Sequence, residues 1–227
     1  MCANYRPVTR SDRMLRFFGV VREHNELPVE EVFPLGLAPF IRLADDGSGR
    51  KVCDDGLFGL LPESVELAFG RKTYNARSET VARLPSFRQP WAAGQRCIIP
   101  AEAFYEPNWE SGRAERWIIR QPGDVPMGIA GIYRQWRAPD GRRVFTFAML
   151  TCNAYGHPVM KRFHRPGEEK RMVVILHPDD YGPWLSCSVA EAPRFFEQRQ
   201  GPLESSAAPL PPRAPRASSV GQHLERR

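Results

Sequence analysis

The sequence predicts an α+β protein whose single folded domain is built on a curved or barrel-like, mainly antiparallel β-sheet with a few flanking helices. Short segments rich in β-branched and aromatic residues recur along the chain, and Gly, Pro or Asp bounds each of them. These segments do not alternate regularly with long helical segments, so the pattern disfavours a doubly wound parallel fold.

The predicted elements follow one another in a simple order. The amphipathic segment SDRMLRFFGVV comes first and predicts a helix, with Ser11 or Asp12 as its N-cap. Helices are also expected to begin within HPDDYGPWLS and SVAEAPRFFEQ. The segments with the strand pattern are APFIRL, GLFGL, RCIIPA, AFYE, RWIIRQ, GIAGIYRQW, VFTFAMLT and RMVVIL.

The chain changes character near its end. Its 227 residues suit one domain with a sizeable core. Residues 201–227 are rich in proline, small residues and arginine, and bury too little apolar surface to offset the entropy of ordering. We therefore expect a folded domain over residues 1–200 and a disordered Pro/Arg-rich tail over 201–227.

Charge and cysteine usage narrow the class of protein. The net charge is +6, and arginine supplies most of the 32 basic residues, which favours polyanionic partners such as nucleic acid. A GC-rich genome, which replaces lysine by arginine throughout, is the alternative explanation. The five cysteines are too widely spaced for a CxxC site or a compact disulfide framework, so we expect reduced thiols.

Membrane, metal and cofactor sites are not expected. The sequence has no run of about 18 apolar residues and its first residues lack a secretory h-region, so we expect a cytoplasmic protein with no membrane partner. P-loop, GxGxxG, HExxH and GxSxG motifs are missing. His157 and His164 lie near Cys152, but their spacing is irregular and a fourth ligand is lacking.

Four short blocks carry the functional signal. The chain begins with MC, and the other blocks are TYNARSET at 73–80, RCIIPAEAFYEP at 96–107 and LTCNAYGHPVMKRFHRPGEEKRMVVIL at 150–176. In order and spacing they resemble the MCGR, NARxET, RCLIPAxGFYEW and LTxxAN…IHxRMPVIL patterns of the SOS response-associated peptidase (SRAP) family, the abasic-site processing proteins. The resemblance extends over most of residues 1–185 and implies an SRAP-like fold.

The resemblance also implies a set of site residues. The family's nucleophile corresponds to Cys2, its asparagine to Asn75, its glutamate to Glu106 and its histidine to His164, with His157 as the runner-up. The sequence departs from the family pattern at three places. Ala-Asn follows Cys2 where the family has Gly-Arg, a proline replaces the tryptophan after FYE, and extra residues separate the histidine from the RM pair.

An N-terminal cysteine suits the substrate that the resemblance implies, which is an abasic site in single-stranded DNA. Once Met1 is removed, Cys2 offers an α-amine beside a thiol. The amine can form an imine with the open-chain aldehyde, and the thiol can then close a thiazolidine ring with the advantage of proximity. An α-amine pKa of about 7.7–8.0 leaves a useful fraction neutral at cellular pH.

The other residues have roles that fit this chemistry, and each has a simpler alternative. Glu106 or His164 can transfer the proton that opens the hemiacetal, and Asn75 can hold the amine or a substrate oxygen. A surface strand residue, a structural histidine and a turn residue are the respective alternatives. Arg77 and, more weakly, Arg88 are candidate phosphate contacts. Arg171 is either a third contact or an internal ion-pair partner.

These observations give one main hypothesis and two alternatives. The main hypothesis is a monomeric, Cys2-dependent enzyme of the DNA damage (SOS) response that binds single-stranded DNA, cross-links to abasic sites and has an associated peptidase or autoprocessing activity. One alternative is an N-terminal-nucleophile cysteine peptidase that acts on proteins. The other is a non-covalent single-stranded DNA-binding module, which the departures around Cys2 and at Pro107 favour.

Overall fold

A computed structural model of the protein describes residues 2–23, 30–196 and 201–210. Met1, whose removal the expected chemistry requires, lies outside the described residues. Residues 211–227, which make up most of the expected disordered tail, lie outside them as well. Helices α1 (Ser11–Phe18), α2 (Arg88–Ala92) and α3 (Tyr181–Ser186) flank the sheet. Its strands are β1 (Asn4–Pro7), β2 (Leu37–Leu43), β3 (Lys51–Phe58), β4 (Asn75–Arg77), β5 (Arg96–Asn108), β6 (Glu115–Arg120), β7 (Met127–Arg137), β8 (Arg143–Asn153), β9 (Arg171–Val173), β10 (Ile175–Leu176) and β11 (Glu204–Ala207).

Five of these strands close into a barrel, which confirms the predicted fold class. The hydrogen-bonded order is β5–β7–β8–β3–β2, and β2 pairs with β5 again at Ile41 and Ile98. Strands β3 and β4 pair in parallel with β8, and the other described strand pairings are antiparallel. The chain segments RCIIPA and AFYE therefore belong to one long strand, because β5 continues through both of them.

The short strands attached to the barrel bring distant parts of the sequence together. Strand β1 pairs with the second half of β5, β4 runs alongside β8, and β9 pairs with the end of β8. As a result, the first residues of the chain, the NAR segment and the RM segment all border the second half of β5 or the end of β8.

Apolar side chains fill the barrel and the space beneath its helices. Phe40 is fully buried and its ring lies within 5.6 Å of Phe147, while Trp91 of α2 packs against Phe196. Aromatic residues dominate because each one removes a large apolar area from water. No described helix has the length and apolar character needed to span a membrane.

Three local expectations differ from the structure. Helix α1 has Arg10 as its N-cap and has no side-chain capping bond there, because the Ser11 hydroxyl donates instead to the Arg22 carbonyl oxygen. In the segment SVAEAPRFFEQ, the described residues 188–196 form a short 3-10 turn, Ala192–Phe195, in place of the expected helix.

The third difference concerns the predicted tail. Strand β11, Glu204–Ala207, lies within the segment for which composition predicts disorder and pairs with β6. Backbone pairing to an existing strand edge orders these residues without requiring large side chains. The Ala208 N–H extends the ladder by donating to the Arg116 carbonyl oxygen at 2.9 Å. Residues 204–208 of the expected tail therefore belong to the sheet.

Candidate active site

The four residues that the family resemblance singles out lie together in the structure. Their exposed fractions are 0% for Cys2, 8% for Asn75, 2% for Glu106 and 5% for His164. Burial of four polar side chains at one place is costly unless they contact one another. We call this group the Cys2 cluster.

The register of two strands places Cys2. Asn4 of β1 is paired with Tyr105 of β5, so the residues that precede β1 lie beside the end of β5 that carries Glu106. The Cys2 thiol donates to the Asn4 carbonyl oxygen at 3.3 Å. Burial, and then the negative charge of Glu106, raises the pKa of the Cys2 thiol well above its ordinary value, so the thiol is neutral.

Asn75 holds the backbone of Cys2. Its Nδ2 donates to the Cys2 carbonyl oxygen at 2.8 Å, and its strand is fixed by parallel pairing with Met149 of β8. The Oδ1 atom of Asn75 is buried, and within the described part of the chain no group donates a hydrogen bond to it. The amide thus presents an acceptor beside Cys2.

Glu106 and His164 form the other half of the cluster, with 3.7 Å between Glu106 Oε2 and His164 Nδ1. Burial raises the pKa of Glu106 from 4.5 to about 7. Burial likewise lowers the pKa of His164 from 6.5 to about 4. Near neutral pH the carboxyl group therefore holds a proton in part of the population, while the imidazole is uncharged.

His164 has a backbone conformation that its neighbours maintain. Its φ of 67° lies in the left-handed region, which is unfavourable for a non-glycine residue. The His164 N–H donates to the Pro107 carbonyl oxygen at 3.0 Å, and Nε2 lies 2.8 Å from the Arg171 carbonyl oxygen. These contacts direct Nδ1 toward Glu106.

The runner-up histidine has a structural environment. His157 is fully buried, and its Nδ1 accepts hydrogen bonds from the backbone N–H groups of Val159 at 3.2 Å and Met160 at 3.1 Å. It therefore caps the 3-10 turn Met160–Arg162. The geometry favours His164 over His157 as the histidine of the site. Within the described ranges, no three His, Cys, Asp or Glu residues are grouped as metal ligands would be.

The candidate phosphate contacts differ in their surroundings. Arg77 follows Asn75 on β4, its side chain is 48% exposed, and its Nη1 lies 3.1 Å from Glu169 Oε2. Arg88 is exposed at the start of α2. Arg77 adjoins the Cys2 cluster through its own strand, whereas no hydrogen bond or ion pair within the described ranges joins Arg88 to the cluster.

Arg171 is an internal ion-pair partner. Its side chain is 3% exposed and it binds Glu79 with two hydrogen bonds, at 3.2 and 2.9 Å. It also donates to the carbonyl oxygen of Thr151 at 2.8 Å and to Glu169 at 2.7 Å. Of the two interpretations that the sequence allows for Arg171, the geometry favours the ion pair over the phosphate contact.

Two acidic residues of this region were not predicted from the sequence. Glu79 lies in the TYNARSET block, where its position within the matched pattern was the available signal. Glu169 lies in the extra residues between His164 and Arg171, where the family pattern gives no guide. Both bind Arg171, Glu79 from 92 residues away in the sequence and Glu169 from two residues before it.

A pocket of about 230 Å³ borders the cluster. Its lining residues are Ala3, Asn4, Tyr105, Glu106, Pro107, Ala114, Glu115 and Arg116. Larger pockets beside Cys53 and beside His177 are lined by other residues. Glu106 is the one member of the Cys2 cluster that lines this pocket, and the pocket is small for an extended peptide.

Comparisons with known proteins identify the family and the fold to which this chain is similar. A family model described as SOS response associated peptidase (SRAP) matches residues 1–208. The chain is 29% identical over 194 residues to abasic site processing protein YoqW of Bacillus subtilis (strain 168), across 82% of this chain and 80% of that protein. It is 30% identical over 176 residues to YoaM of the same organism, across 71% and 73%. An X-ray structure of a Bordetella bronchiseptica protein has a TM-score of 0.83 at 34% identity and covers 92% of this chain and 100% of that chain.

Proposed function

Because this chain belongs to the SOS response associated peptidase family, whose curated relatives are abasic site processing proteins, we propose that it cross-links covalently to abasic sites in single-stranded DNA through Cys2. The observation that carries this proposal is the Cys2 cluster, in which a buried Cys2 is bound by Asn75 and lies beside a protonatable Glu106.

The reaction begins after Met1 is removed. The neutral α-amine of Cys2 adds to the aldehyde carbon of the open abasic sugar, and loss of one water gives an imine. The Cys2 sulfur then adds to the imine carbon while its proton passes to the nitrogen, which closes a thiazolidine ring. The second addition is intramolecular, so it gains the advantage of proximity.

Glu106 has the properties of the proton donor that this reaction needs. A carboxyl group with a pKa of about 7 can protonate the ring oxygen as the hemiacetal opens, and can protonate the hydroxyl that leaves as water. His164 is uncharged at this pH, so its Nδ1 can accept a hydrogen bond from a sugar hydroxyl without placing a charge in the buried site.

Asn75 is suited to fix the nucleophile. Its Nδ2 holds the Cys2 carbonyl oxygen, and its Oδ1 is available to accept a hydrogen bond from the α-amine of the processed chain. An amide supports an amine without protonating it. This hydrogen bond would orient the amine for attack.

The deciding experiment separates the amine from the thiol. We expect the processed wild type to form an adduct with an abasic site in single-stranded DNA that survives denaturing electrophoresis. A variant with alanine inserted between Met1 and Cys2 keeps the thiol but moves the α-amine to the alanine, and it should form no stable adduct. Intact mass establishes removal of Met1 in each preparation.

Serine and alanine at position 2 provide matched controls. Cys2→Ser and Cys2→Ala keep an α-amine, so each should form at most an imine that borohydride traps. If the insertion variant cross-links as well as the wild type, the aminothiol mechanism is wrong, and a cysteine peptidase that uses its thiol alone is supported. If no protein forms any adduct while DNA still binds, the non-covalent binding module is supported.

The proposed peptidase activity is limited to this protein's own chain and its DNA adduct. The small pocket at Glu106 fits removal of residues ahead of Cys2 or release of the adduct better than cleavage of other proteins. Single-stranded DNA as the preferred substrate, a monomeric state and a role in the SOS response stay predictions of the same proposal.

A further inference from the structure

The carboxylate of Glu169 lies among the basic side chains beside the Cys2 cluster. Glu169 accepts hydrogen bonds from three side chains: Arg77 Nη1 at 3.1 Å, Arg171 Nη1 at 2.7 Å and Asn153 Nδ2 at 3.3 Å. The donors come from β4, β9 and β8, which meet at this edge of the barrel. The sheet itself therefore positions this set of donors.

The same donors suit a phosphate group. A phosphodiester has two non-bridging oxygens that share one negative charge, as a carboxylate does, and arginine forks bind carboxylates and phosphates with similar geometry. The side chains of Arg77 and Glu169 are 48% and 37% exposed, so a group from solvent can reach the position. The carboxylate and a phosphate cannot both occupy it.

The charges at this position balance only while Glu169 is present. Arg171 is already bound by Glu79 through two hydrogen bonds. With Arg77 and Glu169 included, two positive and two negative side chains face one another. If Glu169 leaves, one positive charge is uncompensated, and Arg77 is the exposed member that can offer it to an anion.

Glu169 belongs to a loop that also carries a residue of the cluster. The loop runs from His164 to Lys170, and it has left-handed backbone at His164 and Gly167. Lys170 Nζ donates to the carbonyl oxygens of His164 at 2.9 Å and Arg165 at 3.3 Å, which ties the two ends of the loop together. The family pattern lacks these extra residues.

We infer that Glu169 is a phosphate mimic, which a DNA phosphate must displace from Arg77 when the backbone binds beside the Cys2 cluster. This inference rests on the proposed binding of single-stranded DNA. Glu169 is then a specificity-determining residue, because it competes with every backbone phosphate and so weakens binding to undamaged strands. A strand that carries an abasic site is held instead by the covalent bond to Cys2.

The test compares two neutralised carboxylates in the same loop. Glu169→Gln keeps the shape and an acceptor for Asn153 and the arginines but removes the competing charge. Glu168→Gln makes the same change one residue earlier, where the side chain is exposed and no described ion pair joins it to Arg77 or Arg171. Binding is measured by fluorescence anisotropy with undamaged single-stranded DNA, so that no cross-link contributes.

We expect Glu169→Gln to bind about three- to fivefold more tightly than the wild type at low salt, and Glu168→Gln to differ by less than about twofold. In an Arg77→Ala background the gain from Glu169→Gln should shrink to that of Glu168→Gln. Urea unfolding of each variant shows whether the fold is intact.

Each other outcome contradicts the inference in a distinguishable way. Equal gains from both variants would mean a general charge effect, and weaker binding by Glu169→Gln would mean that Glu169 supports the site structurally. Neither of these two results contradicts the proposed function. If neither the wild type nor Glu169→Gln binds single-stranded DNA, the proposed function fails together with the inference.

Discussion

His164 Nδ1 lies 3.7 Å from Glu106 Oε2, and burial reverses the usual order of the two pKa values. The pKa of Glu106 is raised to about 7 and that of His164 is lowered to about 4, in each case mainly because burial penalises the charged form. A proton entering this pair therefore resides on the carboxyl group. The pair can give a proton to a substrate near neutral pH while neither partner bears a charge.

The first prediction concerns Glu106 and pH. We expect the cross-linking rate of the wild type to have a bell-shaped pH profile, with an ascending limb as the Cys2 α-amine loses its proton and a descending limb as Glu106 loses its own. Glu106→Gln should react about 100-fold more slowly and lack this descending limb. Initial rates of adduct formation between pH 5.5 and 9 test this, and an identical pH profile in the variant would remove Glu106 from the reaction.

A stability measurement on the same variant has a definite sign. The pKa of Glu106 is higher in the folded state than its ordinary 4.5, so the folded state holds the proton more tightly. Wild-type stability should fall as pH rises from about 4.5 through 7, relative to Glu106→Gln, by up to roughly 3 kcal/mol. Urea unfolding at several pH values measures the difference, and parallel curves for the two proteins would contradict it.

The second prediction concerns Asn75. Asn75→Ala removes the donor that holds the Cys2 carbonyl oxygen and leaves that oxygen without its described side-chain partner. We expect a loss of stability of about 1–2 kcal/mol and a drop of roughly tenfold or more in adduct formation at saturating DNA. Unchanged kinetics at saturation would limit Asn75 to a structural role.

The third prediction concerns DNA affinity. Arg77→Ala should weaken binding to single-stranded DNA to a similar degree for different sequences and reduce the salt slope by about one. Arg88→Ala, at an exposed arginine of α2, is the matched control and should have the smaller effect. Binding that is independent of salt, or equal losses from both variants, would place the DNA on another face.

The fourth prediction decides between the two interpretations of Arg171. Because the guanidinium is buried and bound by Glu79 and Glu169, Arg171→Met should reduce the free energy of unfolding by about 2 kcal/mol. Arg77→Met, at a half-exposed arginine, should change it by less than about 0.5 kcal/mol. Thermal and urea unfolding compare the two. A stable Arg171→Met protein with weakened DNA binding would favour the phosphate contact.

The sequence predicted the fold class and the members of the Cys2 cluster but not the ion pairs around them. The cluster was identifiable because its residues lie in short local blocks with recognisable patterns. An ion-pair role for Arg171 was one of two interpretations, but its acidic partners were not identifiable, since Glu79 is 92 residues away in the sequence and Glu169 belongs to the extra loop residues that the family pattern lacks. Strand β11 was missed for a similar reason: pairing with β6 overrides a composition that disfavours order.

The attachment of β11 has a practical consequence for labelling the protein. The chain leaves β11 at Ala208, which is bound to Arg116, and Arg116 lines the pocket that contains Glu106. A tag fused directly after Ala208 would therefore begin beside the chemistry, while a tag ahead of Cys2 eliminates its α-amine. A fluorophore or surface attachment is better introduced in the exposed turn at 45–49 between β2 and β3, which leaves both of these chain segments native.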